Sequence, residues 1–284
     1  MNPPLTNHWI GTLFLSAMDP NVRRFTGFAD IYDQHRPQLP SVIGDILSQL
    51  AGLQRPVRVV DIASGTGLST RLWKGREATV LGIEPSPDMR AIAESLKADD
   101  DTQSNISFQE GMSTRTGLPD ASADIVTISQ ALHWMEPEPT FQEIARILRP
   151  RGVFAAIDCE FPPTIHPEID EAYQDSMDRA EIREKRHALS KGVRRWDKVG
   201  HLSRMSASGL FSFTKEIYCH SIEQGGTDRL IGLIKSQSTV AELLKSGLSE
   251  EEIGLSDLRK SADAILSGRS LPWFWSYEIR IAVK

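Results

Sequence analysis

The sequence predicts an α/β fold, with a mostly parallel sheet of seven strands and helices on both faces. Three observations predict it. Short apolar runs rich in β-branched residues alternate with amphipathic helical stretches, which implies βαβ units. The first of these runs passes straight into a tight glycine turn. The chain has 284 residues, 40% hydrophobic and 25% charged, enough for one large core with an elaboration.

The elements follow in order. Residues 1–20 are weakly patterned and read as a peripheral arm. Phe25, Phe28, Ala29 and Tyr32 recur at helical spacing until Pro37 and Pro40 end the pattern. Ser41 is expected to cap a helix whose apolar face is Val42, Ile43, Ile46, Leu47 and Leu50. Val57–Ile62 reads as a strand buried on both faces, followed by Gly65, Gly67 and a helix from Leu68. Further strands are expected at Thr79–Ile83, Ile106–Gln109, Ala123–Ser129 and Gly152–Asp158, with helices at Pro87–Ala98 and Pro139–Leu148. Residues 161–207 are polar and mostly helical. Leu210–Ile222 alternates as a sixth strand, residues 227–268 are helical again, and Trp273–Val283 closes the sheet. The expected organisation is an arm over the site (1–40), a core (41–160), a helical lid insert (161–209), and the last strands (210–284) carrying a second insert at 227–268. Both inserts are read as a lid over the sheet, not as an independent domain.

Composition narrows the function. The net charge of −6 argues against a nucleic-acid partner, which a basic stripe would serve. Cys159 and Cys219 are too few and too distant for a disulfide framework, and read as buried reduced thiols. No Lys or Arg precedes the apolar run Trp9–Leu15, which is too short to span a membrane. A cytoplasmic protein, with no membrane partner, is the expectation. No Cys/His pair has metal-ligand spacing.

The residues that carry chemistry begin at Val59-Val60-Asp61-Ile62-Ala63-Ser64-Gly65-Thr66-Gly67. Glycine lets backbone approach a ligand, and helix N-terminal amides can meet an anion; the same pair also serves a plain strand–helix turn. Glu84 ends the next strand, roughly 20 residues on, where an acid can accept both ribose hydroxyls. A ligand containing a nucleoside is therefore expected. Gly65-Thr66-Gly67-Leu68-Ser69-Thr70 ends in Thr70, so the third small residue of a dinucleotide fingerprint is missing.

Asp61-Ile62-Ala63-Ser64-Gly65-Thr66-Gly67 resembles the first motif of class I S-adenosylmethionine methyltransferases, with alanine for the usual first glycine. Ile83-Glu84-Pro85-Ser86-Pro87-Asp88-Met89 is similar to the second motif. Gly111-Met112-Ser113 through Leu118-Pro119 resembles the adenine-holding segment, although Thr114-Arg115-Thr116-Gly117 interrupts it and no acid follows Gly111. Asp124-Ile125-Val126-Thr127 through Ser129-Gln130-Ala131-Leu132-His133-Trp134 resembles the fourth motif. Phe141–Gly152 resembles the helix and turn before strand five, with Arg151 in place of a glycine. The Tyr-x-x-x-Arg-Pro string and His-Trp resemble the branch that includes trans-aconitate methyltransferase-like proteins and natural-product enzymes.

The resemblance implies a Rossmann-like fold, S-adenosyl-L-methionine as cofactor, and a small-molecule acceptor methylated at O, N or C, by a monomer or homodimer. It places Tyr32, Arg36, Asp61, Ala63, Gly65, Gly67, Glu84, Pro85, Met89, Gly111, Met112, Ser113, Ser129 and Gln130 at the cofactor. Asp61 would orient the glycine loop, Gly65 and Gly67 would border the methionine part, and Arg36 would pair with its carboxylate. Tyr32, His133 and Trp134 would line the acceptor pocket. His133 and Asp158 are candidate general bases, His133 because an unperturbed imidazole has a pKa of about 6.5. A packing histidine is the alternative. The stretch Arg183, Lys185, Arg186, Lys191, Arg194 and Arg195 is interleaved with acids and reads as a solvated helix face. Asn2-Pro3-Pro4 resembles a motif of adenine-N6 methyltransferases, but there it follows strand four, so base flipping is not expected. Two other readings stay open: a cofactor-binding protein without transfer, and a dinucleotide-dependent oxidoreductase.

Overall fold

The computed structural model describes residues 18–52, 57–98 and 105–284. The Asn2-Pro3-Pro4 motif, the Trp9–Leu15 run and most of the peripheral arm lie outside the described residues. Seven strands form one sheet in the order β3-β2-β1-β4-β5-β7-β6. They are β1 (Val57–Ile62), β2 (Ala78–Ile83), β3 (Ile106–Gln109), β4 (Ala123–Ser129), β5 (Leu148–Cys159), β6 (Phe213–Gly225) and β7 (Leu271–Val283). β1 to β5 pair in parallel, and β7 runs antiparallel to both neighbours. The order reverses between β1 and β4, so their carboxyl ends open a crevice where α/β sheets bind ligands.

Helices occur at α1 (Pro20–Arg23), α2 (Ala29–His35), α3 (Ser41–Leu50), α4 (Pro87–Ala98), α5 (Pro137–Ile147), α6 (Pro167–Arg186) and α7 (His201–Ala207). The second insert supplies α8 (Thr227–Lys235), α9 (Ser238–Lys245), α10 (Glu250–Ile253) and α11 (Leu255–Leu266). Alternate strand residues feed two apolar clusters. On one face Val59, Val80, Ile125, Ile157, Trp275 and Ile279 pack with helices from both inserts. On the other, Val60, Val126, Ile128 and Phe154 pack with α5 and α7. The inserts thus pack onto the sheet as part of its core. From the second insert Leu230, Leu233, Leu243, Leu258 and Leu266 are fully buried in the same cluster as the strands, and from the first Ile169, Tyr173 and Ala180 of α6 join them.

Four expectations are corrected. Ser41 is already helical; Pro40, extended at φ −59° and ψ 134°, takes the cap position and no side-chain cap bond forms. The helix expected from Leu68 is a single 3-10 turn, Thr70–Trp73, because the Thr70 hydroxyl donates back to the Gly67 carbonyl at 2.6 Å and Gly75 turns the chain at φ +69°. β5 starts at Leu148, so the preceding helix has no loop after it; Arg151, at φ +63°, bonds through its amide to the Lys284 carbonyl. β6 starts three residues later than the alternation suggested, since Phe211 turns inward to stack on Phe154 at 6.0 Å.

Phe108 fixes how closely the β1 turn sits on the sheet. A Cβ on Gly82 would lie 2.5 Å from its ring and 2.7 Å from the Ser64 hydroxyl, and a Cβ on Gly67 would lie 2.8 Å from the same ring. Gly82→Ala is therefore expected to lower the unfolding free energy by about 1–3 kcal/mol in urea denaturation, the usual range for overpacking. Ala63 presents the reverse case. It holds φ +56°, which costs an L-residue about 1–2 kcal/mol, against about 0.5–1 kcal/mol for glycine's extra freedom when unfolded. Ala63→Gly is expected to raise stability by about 0.5–1 kcal/mol in the same assay.

Candidate active site

A cavity of about 500 Å³ opens at the carboxyl ends of β1, β2 and β4, within the size range of small-molecule sites. Its floor is Ile62, Ala63 and Gly65 after β1, and Glu84 and Pro85 after β2. Glu84 ties the two turns together. One carboxylate oxygen accepts from the Gly65 amide at 2.9 Å, the other from the Ser86 amide at 2.8 Å. Burial pushes its pKa up to about 7, against the pull of those two amides. Each oxygen keeps a further lone pair free to accept. A side chain at Gly65 would meet nothing within 4 Å, so the loop leaves its backbone open to a ligand.

Met89 from α4 and the turn Gly111–Thr114 form one wall. That turn is anchored from below: Glu143 of α5 accepts from the Thr116 amide at 2.7 Å and hydroxyl at 2.6 Å. A Cβ on Gly111 would lie 2.7 Å from Ile83, which is why the chain passes there as glycine. Ser129, Gln130, Ala131 and Trp134 after β4 form the opposite wall. Gln130 sits at φ +56°, its amide bonded to the Ile157 carbonyl at 2.8 Å.

The remaining wall comes from segments distant in sequence. Asp19–Val22, Phe25 and Tyr32 line the cavity, as do Gly192, Arg194 and Trp196 of the first insert. Asn21 stitches them. Its side-chain amide donates to the Trp134 carbonyl at 2.8 Å and the Arg194 carbonyl at 2.9 Å, and accepts from the Arg194 amide at 3.0 Å. Phe25 meets Trp134 edge-on at 5.5 Å, and Arg195 lies over the Trp134 ring at 4.6 Å. α2 is fastened to the glycine loop through Asp33, which accepts from the Thr66 hydroxyl and from Arg71, each at 2.6 Å.

Of the residues singled out from sequence, Tyr32, Ala63, Gly65, Glu84, Pro85, Met89, Gly111, Met112, Ser113, Ser129, Gln130 and Trp134 meet on this cavity. Five do not. Asp61 lies beneath it, fully buried, accepting from the Ser69 hydroxyl at 2.6 Å and the Thr127 hydroxyl at 2.7 Å; burial lifts its pKa to about 6. Gly67 does not line the cavity, and a Cβ there would lie 2.8 Å from the Phe108 ring. Arg36 lines a small adjoining cleft of about 40 Å³, and its guanidinium donates to Ser236 and Gln237 while stacking on Tyr32 and Phe161. His133 is absent from the wall, and burial, with the nearby Lys198, drives its pKa to about 3. An imidazole that weakly basic is a poor proton acceptor at neutral pH. Asp158 sits below the cavity, paired with Arg280 at 2.9 Å and Lys198 at 2.7 Å; burial alone would raise its carboxyl, but Lys198 outweighs it and holds it low.

Sequence reasoning missed Asn21, Phe25, Trp196 and Lys198. The only legible signal near them was Asp19-Pro20, a capping aspartate before a first-turn proline, whose carboxylate accepts from the Asn21 amide at 2.8 Å. Among the described residues no cluster of His, Cys, Asp and Glu could hold a metal ion, and no helix is long and apolar enough to cross a membrane.

Comparison with known proteins agrees with this geometry. Residues 60–156 match the family model for a methyltransferase domain, Methyltransf_11. The chain is 26% identical over 172 residues to the uncharacterized methyltransferase YcgJ of Bacillus subtilis, 60% of this chain and 66% of that one. It is 34% identical over 122 residues to the uncharacterized methyltransferase Rv3342 of Mycobacterium tuberculosis, 43% of this chain and 46% of that one. The matched segments thus span less than two thirds of these relatives. The fold is similar to that of a structure from Anaeromyxobacter dehalogenans provisionally described as a type II methyltransferase, with TM-score 0.59 and 20% identity over 87% of this chain and 97% of that one. It is also similar to the structure of YcgJ, with TM-score 0.52 and 18% identity over 85% of this chain and 97% of that one. Residues 60–156 thus match the model of a methyltransferase domain, and the sheet and its helices share the α/β Rossmann-like fold of these structures.

Proposed function

We propose that this protein transfers a methyl group from S-adenosyl-L-methionine to an O, N or C atom of a small-molecule acceptor, as a cytoplasmic enzyme. The observation that carries the reading is Glu84. A carboxylate on the cavity wall, flanked by the open Gly65 loop, suits a ribose whose two hydroxyls it accepts. The turn Gly111–Ser113 and Met89 suit the adenine, and Gly65, Ser129 and Gln130 the methionine part. Trp134, Phe25 and Trp196 form an aromatic end for the acceptor. The Tyr-x-x-x-Arg-Pro and His-Trp strings favour the trans-aconitate methyltransferase-like branch.

When bound, the cofactor supplies a methyl already made electrophilic by its sulfonium. The chain's own task is then alignment and exclusion of water, which the stitched wall of Asn21, Arg194 and Trp196 provides. An O–H, N–H or C–H acceptor gives up a proton as the methyl arrives, and with His133 and Asp158 both off the wall that proton passes to solvent.

Two measurements test the reading. Calorimetric titration with S-adenosylhomocysteine is expected to give binding that Glu84→Ala weakens by about tenfold or more, the loss of hydrogen bonds to a charged acceptor. No binding to folded wild type removes the cofactor assignment, and NADH binding in its place favours the oxidoreductase reading. The second measurement is pH dependence. The Glu84 pKa, about 7 in the free protein, falls when the ionised carboxylate accepts the hydroxyls. Binding then releases protons below pH 7, and affinity rises with pH until it levels off above about 7. Titrations in buffers of different ionisation enthalpy read that release, and Glu84→Gln is expected to abolish it.

A further inference from the structure

Residues 192–200 of the first insert cross the site as a strap. None of them is buried, Gly192 enters at φ +83°, and Gly200 caps α7 at the far end. A segment without buried apolar side chains is held by its polar tethers. Alternate residues supply them. Arg194 is clipped through its backbone to Asn21, at 3.0 and 2.9 Å. The Trp196 amide donates to the His133 carbonyl at 2.8 Å. Lys198 reaches Asp158 at 2.7 Å and the Gln130 side-chain oxygen at 3.4 Å.

Of these tethers the Lys198 one is an ion pair, and it has two properties that suit a latch. It can part without leaving a buried charge alone. The second oxygen of Asp158 stays with Arg280, a side chain 1% exposed, while the Lys198 side chain is 38% exposed and can return to water. It also touches the cavity wall. The Gln130 carboxamide is held between the Cys159 carbonyl, to which it donates at 3.2 Å, and the Lys198 ammonium, from which it accepts. Closing the strap and fixing Gln130 are thus one event.

We propose that Lys198 is a positioning residue whose ammonium latches the 192–200 strap across the cavity and sets the Gln130 carboxamide against the bound nucleoside ligand. The proposal rests on the reading of this cavity as the S-adenosylmethionine site. Loss of the latch should speed release of the ligand; it also removes one partner of the buried Asp158 carboxylate, which keeps Arg280, so a modest loss of stability accompanies it.

Stopped-flow release of S-adenosylhomocysteine from the full chain tests it, with the fluorescence of Trp134 and Trp196 on the cavity wall as signal. Lys198→Met is expected to stay folded by circular dichroism, with a modestly lower thermal midpoint, and to release about tenfold faster than wild type. Lys198→Arg is expected to restore slow release. Added salt is expected to speed release from wild type but not from Lys198→Met, since it screens only a pair that exists. A release rate in Lys198→Met within twofold of wild type, release from Lys198→Met that salt speeds as much as it speeds wild type, or no rescue by arginine each overturns the latch. Absence of any equilibrium binding to wild type instead overturns the cofactor reading, so the two failures are told apart.

Discussion

The site depends on a carboxylate buried between two strand ends. Glu84 closes the β2 turn on its own Ser86 amide and reaches across to the Gly65 amide of the β1 turn. Two loops that belong to different βαβ units are thereby held in one register. The cost is desolvation, visible in the pKa of about 7, and the two amides offset only part of it. A group so placed is poised to gain from any further donor, which is what a binding wall requires. Asp61 supports the same loop from beneath through the Ser69 and Thr127 hydroxyls.

The other half of the cavity is made by segments far apart in the chain. α1, the turn after β4 and the strap of the first insert share no secondary structure, and the carboxamide of one residue, Asn21, joins them. A neighbouring buried arginine repeats the theme. Arg24 pairs with Glu184 of α6 and donates to Ser238 and Thr239 at the start of α9, at 2.9 and 3.0 Å. The amino-terminal segment is therefore built into both inserts before it meets the cavity. The inserts in turn are built into the core, the second through its leucines and the first through Ile169, Tyr173 and Ala180, whereas the 192–200 strap buries no residue.

Those two origins explain what was legible. The strands and the β1 and β2 turns could be read because period, β-branching and glycine act over a few residues, and β1, β3 and β4 fall on the expected residues. Twelve expected wall residues share the cavity because their motifs are local to strand ends. Asn21, Trp196 and Lys198 could not be read, since a long-range hydrogen bond leaves no periodicity. Arg36 and His133 carried the right chemistry, but burial and competing partners decide their roles, and neither quantity is local in sequence. At Gly67 a glycine tells of close approach without naming what approaches, and one close neighbour is the Phe108 ring.

That ring has a consequence for how this chain can vary. Gly67, Gly82 and Phe108 occupy three different elements, yet they share one small volume. Enlarging either glycine demands a thinner residue at 108, and shrinking Phe108 alone leaves a void beneath the turn that carries Gly65. Single steps are disfavoured in both directions, while paired exchanges keep the volume constant. Among descendants of this sequence the three positions should accordingly drift together, as a coupled set, even though only the loop above them lines the cavity.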